Sequence, residues 1–117
     1  MKVKKLCFDI DGVICSLSRN NNYLSSKPIK KNINLINFLY KKNYNIILFT
    51  SRFMGRNNDN SNKANKMGFQ FTKKQLKKWG VKYHKLIMGK PSYDLIIDDK
   101  SIFFKKNWNK LLLKKLN

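Results

Sequence analysis

The stretch CFDIDGV at residues 7–13 is an apolar run that ends in two carboxylates, one residue apart, and a glycine. A short apolar run closed by such a turn signal is typical of a strand buried in a parallel sheet. The pattern predicts a strand over residues 3–10 that presents Asp9 and Asp11 at its C-terminal end. A functional site is therefore expected where this strand ends.

The apolar segments that follow alternate between helical and strand-like spacing. This alternation predicts a parallel sheet with right-handed crossovers. We interpret the whole chain, residues 1–117, as one α/β domain, a Rossmann-like three-layer sandwich with a mainly parallel sheet. The further predicted strands are 45–50, 81–88 (above all 85–88), 93–97 and a short edge strand at 102–104. The predicted helices are 29–43, 72–79 with Thr72 as N-cap and Gly80 past its end, and 108–116, and the predicted loops are 16–28 and 53–65.

The acidic residues are few and unevenly placed. The chain contains six Asp and no Glu, and only Asp59 lies away from two short stretches that follow apolar runs. The carboxyl ends of parallel strands meet at one edge of a sheet, where ligands of open α/β sheets bind. The groups expected to converge there are Asp9, Asp11, Thr50, Lys90, Asp98 and Asp99. Clustered carboxylates repel one another unless a cation lies between them, and an all-oxygen donor set suits Mg²⁺. The sequence therefore predicts a magnesium site.

The net charge of +20 favours anionic ligands. Lys pairs are scattered along every segment. We therefore favour a general drift in residue usage as the origin of the charge over a surface that binds nucleic acid. Either way, the positive field draws phosphorylated compounds towards a cleft and weakens with salt.

Two features of the sequence bear on the compartment. Cys7 and Cys15 form no CxxC pair, and no apolar run reaches the roughly 18 residues of a membrane helix. Neither a zinc site, a disulfide framework, a signal peptide nor a membrane anchor is indicated. A cytoplasmic location is expected.

Four motifs, FDIDGV, LFTSR, GKP and LIIDDK, occur in that order. Together they resemble the four motifs of the haloacid dehalogenase-like phosphatases, over roughly residues 3 to 104. The stretch FTKKQLKKWGVKYHKLIMGKPSYDLIIDDKS is similar to small members linked to capsule and surface-polysaccharide synthesis. Val13 stands where many members have Thr. The spacings leave no room for a cap domain, so the resemblance implies a capless core.

The resemblance implies a phosphoric monoester hydrolase that works through an aspartyl-phosphate. Asp9 would be the nucleophile and Asp11 the acid and base. Thr50, or Ser51 in its place, would bond the phosphoryl oxygens, and Lys90 would hold the charge between nucleophile and phosphoryl group. Mg²⁺ would bind Asp9, the backbone carbonyl of Asp11, and Asp98 or Asp99, with Asp99 favoured. Ser51 and Arg52 are further candidates for binding the substrate.

The expected substrate is a small phosphorylated metabolite such as a sugar phosphate. A phosphatase of nucleotides or polynucleotide ends is the alternative that the charge and the missing cap favour. A non-catalytic phosphate-binding or receiver-like module is an alternative of another class, although in a receiver the phosphorylated Asp lies mid-chain and the Lys comes last. The uncapped site would be open unless the loop 16–28 or a second copy of the chain covers it.

Overall fold

Three parallel strands in the order β1-β2-β3 form the sheet of the computed structural model, which describes residues 5–20 and 22–117. The strands are β1 (Lys5–Phe8), β2 (Asn45–Thr50) and β3 (Lys85–Met88). In the register, Leu6 lies opposite Ile46, and Leu48 lies opposite Leu86. The predicted Rossmann-like α/β fold is confirmed. Residues 3 and 4 of the predicted first strand lie outside the described residues.

Three helices accompany the sheet: α1 (Lys30–Lys41), α2 (Ser61–Lys78) and α3 (Trp108–Leu116). Single 3₁₀ turns occur at Tyr23–Ser25 and Gly55–Asn57. The main core combines strand residues with one face of each helix, including Ile10, Ile33, Ile36, Leu39, Ile46, Leu48, Leu76, Leu86, Trp108 and Leu112. Burial of such apolar surface is the main favourable contribution to folding. No helix of the described residues is long and apolar enough to cross a membrane.

Helix α2 begins eleven residues before the predicted helix, and the prediction that Thr72 is its N-cap is wrong. Asn60 is the N-cap, and its side chain accepts a hydrogen bond from the backbone N–H of Lys63 at 3.0 Å. The buried positions of α2 are four residues apart: Ala64, Gly68, Thr72 and Leu76. Three of them are small or polar residues, so the sequence shows only the end of the apolar stripe. The prediction for Gly80 is confirmed, since it follows the helix with φ of 73°.

The predicted strands 93–97 and 102–104 are wrong, because neither segment forms regular secondary structure. Leu95, Ile97 and Phe103 are 76%, 90% and 77% exposed. An apolar run is compatible with a strand, but pairing with a neighbour decides whether one forms. In the part of the chain that the structure describes, β3 pairs only with β2. Within residues 5–20 and 22–117, the sheet therefore has three strands where five were expected.

His84 extends the pairing of β2 and β3 towards the amino ends of the strands. Its backbone N–H donates to the carbonyl of Ile46 at 2.9 Å, and its Nδ1 accepts from the N–H of Ile46 at 3.0 Å. The ring also stacks on Tyr40, with ring centroids 4.5 Å apart. His84 is thus held in the framework, at the end of the sheet opposite the predicted site.

Candidate active site

The carboxyl ends of the three strands bring four of the predicted site residues to one edge of the sheet. Asp9 and Asp11 follow β1, Thr50 is the last residue of β2, and Lys90 follows β3. The backbone N–H of Lys90 donates to the carbonyl of Thr50 at 3.1 Å, which joins the turn after β3 to the end of β2. Parallel pairing of short apolar strands is therefore what places these polar groups together.

Asp9 and Lys90 form an ion pair that remains accessible. Lys90 Nζ lies 3.3 Å from Asp9 Oδ2, and the two side chains are 13% and 36% exposed. The other oxygen, Oδ1, accepts from the backbone N–H of Ile10 at 2.8 Å. The carboxylate is thus oriented by one fixed donor and one cation, and it still reaches solvent.

The pKa of Lys90 lies above its usual value. Burial by itself lowers the pKa of the ammonium, but the hydrogen bond with Tyr93 and the charge of Asp9 outweigh burial. The ammonium also lies 5.2 Å from the centre of the Tyr93 ring, where a cation is attracted to the π face. Lys90 therefore stays positively charged beside Asp9 throughout the neutral range.

Asp11 is held by Arg52 in a two-pronged ion pair. Arg52 Nε donates to Asp11 Oδ2 and Arg52 Nη2 donates to Asp11 Oδ1, each at 2.9 Å. The Arg52 side chain is fully buried and that of Asp11 is 19% exposed. The thiol of Cys15 also donates to Asp11 Oδ1, at 3.4 Å. Arg52, predicted to bind substrate, is thus directed at Asp11.

Thr50 and Ser51 lie where β2 ends. Thr50 is 1% exposed, and its Oγ1 accepts from the backbone N–H of Arg52 at 3.1 Å. A hydroxyl that accepts one bond still has its own hydrogen to donate. Ser51 is half-buried, and its carbonyl accepts from Met54 N–H at 3.0 Å. The threonine is therefore the better fixed of the two hydroxyls.

Asp98 and Asp99 are exposed and do not join this group. Asp98 Oδ1 accepts from the backbone N–H of Lys100 at 2.9 Å, in a local turn. Residues 5–20 and 22–117 contain no group of three or more His, Cys, Asp or Glu that could hold a metal ion. The structure therefore does not assemble the predicted set of magnesium ligands, because the strand expected to carry Asp98 and Asp99 to this edge is absent.

The turn that carries Lys90 is anchored by residues that were not predicted as part of a site. Asp59 Oδ1 accepts from Ser92 Oγ at 2.7 Å and from its N–H at 3.3 Å. Gly89 has φ of 96°, and a Cβ on it would lie 2.8 Å from the Cβ of Ser61. Only glycine fits this position without strain. An isolated acid in an Asn-rich loop was the one available signal for Asp59.

Neither cysteine is a ready nucleophile. Burial raises the pKa of the Cys7 thiol, and burial together with the Asp11 charge raises the pKa of the Cys15 thiol to about 12. A thiol reacts as the thiolate, so a raised pKa disfavours both thiols as nucleophiles at neutral pH. The carboxylate of Asp9 is thus an accessible anionic group at this edge.

The comparisons with known proteins inform the fold alone. An MCSG target from Vibrio cholerae has a similar crystal structure, with a TM-score of 0.79 and 23% sequence identity over 96% of this chain and 98% of that chain. No family model and no curated protein matches the sequence. The similarity extends over nearly the full length of both chains, so the α/β fold described above is an arrangement that an experimentally solved protein also adopts.

Proposed function

We propose that the chain is a Mg²⁺-dependent phosphomonoester hydrolase that forms an aspartyl-phosphate on Asp9. The main support is the accessible Asp9 carboxylate with Lys90 Nζ at 3.3 Å. A nucleophile beside a permanent cation suits attack on a phosphoryl group, whose oxygens carry the charge that must be offset. The resemblance of the four motifs to the capless haloacid dehalogenase-like phosphatases supports the same reaction.

The proposed reaction has two displacements at phosphorus. In the first, an Asp9 oxygen bonds to phosphorus while the ester P–O bond breaks, and Asp11 gives its proton to the leaving oxygen. In the second, water attacks the aspartyl-phosphate, Asp11 takes a proton from the water, and the P–O bond to Asp9 breaks. Lys90 offsets the phosphoryl charge in both steps, and the Thr50 hydroxyl donates to a phosphoryl oxygen.

The bonding of Asp11 is compatible with this role. A carboxylate offers about four lone-pair positions. Arg52 takes two of them and Cys15 one, which leaves a position on Oδ2 among the described contacts. A proton on that position can be shared with a leaving group, since the side chain is 19% exposed.

The Mg²⁺ dependence rests on the sequence resemblance. When bound, the ion would supply positive charge beside the transferring phosphoryl group. Asp9 and the carbonyl of Asp11 lie at the expected edge, but the described arrangement does not gather Asp98 and Asp99 with them. The donor set is therefore incomplete in this arrangement.

The first prediction is that the purified chain hydrolyses 4-nitrophenyl phosphate with Mg²⁺ and that Asp9→Asn abolishes the reaction. Loss of the nucleophile should lower kcat by about 10³-fold or more. Release of 4-nitrophenol is measured by absorbance, with and without a chelator. Asp94→Asn is the matched control, because Asp94 is exposed and is not one of the proposed site residues. Full activity in Asp9→Asn overturns the proposal, and activity that a chelator leaves unchanged overturns the metal requirement.

The proposed substrate is a small phosphorylated metabolite such as a sugar phosphate, converted in the cytoplasm. A panel of sugar phosphates, nucleotides and oligonucleotides with 3′ or 5′ phosphates tests the substrate class. Preference for the oligonucleotides would favour the alternative of a polynucleotide-end phosphatase. Binding of phosphate without turnover of any compound would favour a non-catalytic module. We also propose that a second copy of the chain closes the open site. Light scattering measures the oligomeric state that this closure requires.

A further inference from the structure

The ion pair of Asp11 and Arg52 has the geometry of a fixed clamp. Both carboxylate oxygens are bonded at 2.9 Å by two nitrogens on one side of the guanidinium. Such a bidentate pair fixes the plane of the carboxylate as well as its distance. The planar guanidinium presents these two donors in a fixed fork that matches the geometry of a carboxylate.

Arg52 is itself held from three sides. Its Nη1 donates to Gln75 Oε1 at 2.7 Å, and its guanidinium lies 4.7 Å from the centre of the Tyr23 ring. Gln75 Nε2 donates in turn to the carbonyl of Tyr23 at 2.8 Å. These contacts join β1, β2, α2 and the loop 16–28 at one point. The guanidinium has no room to turn towards a substrate without losing Asp11 and Gln75.

The backbone after Arg52 is fixed as well. Phe53 has φ of 67°, a left-handed conformation that is unusual for a residue with a side chain. Its ring packs against Gly68 of α2, where a Cβ would lie 2.2 Å from the ring, and the N–H of Phe53 donates to the Tyr23 hydroxyl at 3.2 Å. Strain of this kind persists only where the surroundings enforce it, and it is common next to functional groups.

We propose that Arg52 is a positioning residue, which, held by Gln75 and Tyr23, orients the Asp11 carboxylate so that the remaining Oδ2 position faces the leaving oxygen. This inference rests on the proposed phosphatase function and replaces the substrate-binding role predicted for Arg52. A general acid must lie within hydrogen-bond reach of the leaving oxygen, so its orientation determines its efficiency. The clamp supplies that orientation without touching the substrate.

The dependence of the rate on the leaving group distinguishes a positioning role from a purely structural one. 4-Nitrophenolate leaves readily without a proton, whereas an alkoxide leaves only when an acid protonates it. The test therefore compares kcat/KM, which reports the first displacement and not the hydrolysis of the shared aspartyl-phosphate, on 4-nitrophenyl phosphate and on an alkyl phosphate, for the wild-type chain, Arg52→Lys and Asp11→Asn. Arg52→Lys keeps the charge and loses the two-pronged geometry. Arg19→Lys, at an exposed loop position, is the matched control.

Arg52→Lys should lower kcat/KM on the alkyl phosphate by about 10²-fold and on 4-nitrophenyl phosphate by less than about fivefold. Asp11→Asn should show the same selectivity more strongly. Equal losses on both substrates, or no loss, overturn the inference while leaving the phosphatase function intact. A wild-type chain without phosphatase activity overturns the proposed function and this inference with it.

A buried arginine is a demanding site to change, so a second variant provides an independent measurement. Gln75→Met removes the bond to Arg52 Nη1 from the helix side and retains most of the side-chain volume. It should again lower the rate on the alkyl phosphate more than the rate on 4-nitrophenyl phosphate, but by a smaller factor, about threefold to tenfold. If Arg52→Lys does not fold and Gln75→Met shows no selectivity between the two substrates, the positioning role is wrong.

Discussion

Cys15 lies between the hydrophobic core and the candidate site. The residue is fully buried, and its thiol contacts Asp11 Oδ1 at 3.4 Å and the carbonyl of Ile10 at 3.7 Å. The pKa of this thiol rises from 9.0 to about 12, first because of burial and then because of the Asp11 charge. The folded chain thus holds the thiol proton more tightly than the unfolded chain does.

This difference predicts a loss of stability in alkali. Below pH 9.0 both states keep the proton, and the contribution of Cys15 is complete. At higher pH the unfolded chain releases the proton and the folded chain keeps it, so the free energy of unfolding falls by up to about 1.4 kcal/mol per pH unit until the folded thiol also ionises. Urea unfolding of the wild-type chain and of Cys15→Ala, in reducing buffer between about pH 8 and pH 10, measures the effect. The stability advantage of the wild type should shrink with pH, and a constant difference contradicts the prediction.

At the residue scale, the sequence identifies site residues whose chemistry is visible in their type and place. Asp9, Asp11, Thr50 and Lys90 follow apolar strands, and the structure brings them to one edge. Residues that orient them are harder to find. Gln75 reaches the site from the last turn of α2, a position that only the packing of the helix on the sheet specifies. Nothing in the sequence around Gln75 or Tyr23 distinguishes either from an ordinary surface residue.

At the element scale, predictions succeed where one element carries its own apolar pattern. Strand β2 matches the predicted bounds, and β3 matches the favoured part, 85–88, of the strand predicted over 81–88, because continuous apolar runs need little context. Helix α2 was predicted only in its second half. Its first half is buried through Ala64 and Gly68, small residues that let β3 and the loop after β2 approach closely. Such contacts depend on the partner surface, so local periodicity does not reveal them.

The segment 93–97 allows a direct test of whether it is exposed, as the structure describes, or forms the buried strand that its apolar run predicts. Ile97 is 90% exposed, so Ile97→Asn should change the free energy of unfolding by no more than about 0.5 kcal/mol. Ile46 is fully buried in β2, and Ile46→Asn should cost about 3 kcal/mol or more, since it removes core contacts and buries an amide. Urea unfolding measures both variants. If Ile97→Asn costs as much as Ile46→Asn, the segment is a buried fourth strand, as its apolar run predicts, and Asp98 and Asp99 lie at its end.

At the scale of the whole molecule, the α/β alternation determines which end of the sheet carries chemistry. Parallel strands with helical crossovers all end at one edge, so the motifs converge whatever the details of their loops. The parallel sheet and the edge at which the candidate residues meet are therefore predictable from the sequence. The number of strands is not, because pairing at the edge of a sheet depends on contacts that an apolar run does not encode.

The net charge of +20 predicts that the activity depends on salt concentration. A positive field speeds the encounter with anionic substrates and is screened within about 8 Å at physiological salt. Raising KCl from about 0.05 M to 0.5 M should therefore lower kcat/KM for a sugar phosphate and leave kcat nearly unchanged, since the Asp9–Lys90 pair is partly buried and less screened.

A phosphorylated oligonucleotide serves as the comparison, because each phosphate neutralised on binding steepens the dependence on salt. If kcat/KM falls equally steeply with salt concentration for both substrates, only the terminal phosphate is bound, as expected for a metabolite phosphatase. A much steeper slope for the oligonucleotide, together with faster turnover, would contradict the sugar-phosphate proposal and assign the lysine-rich surface to nucleic acid.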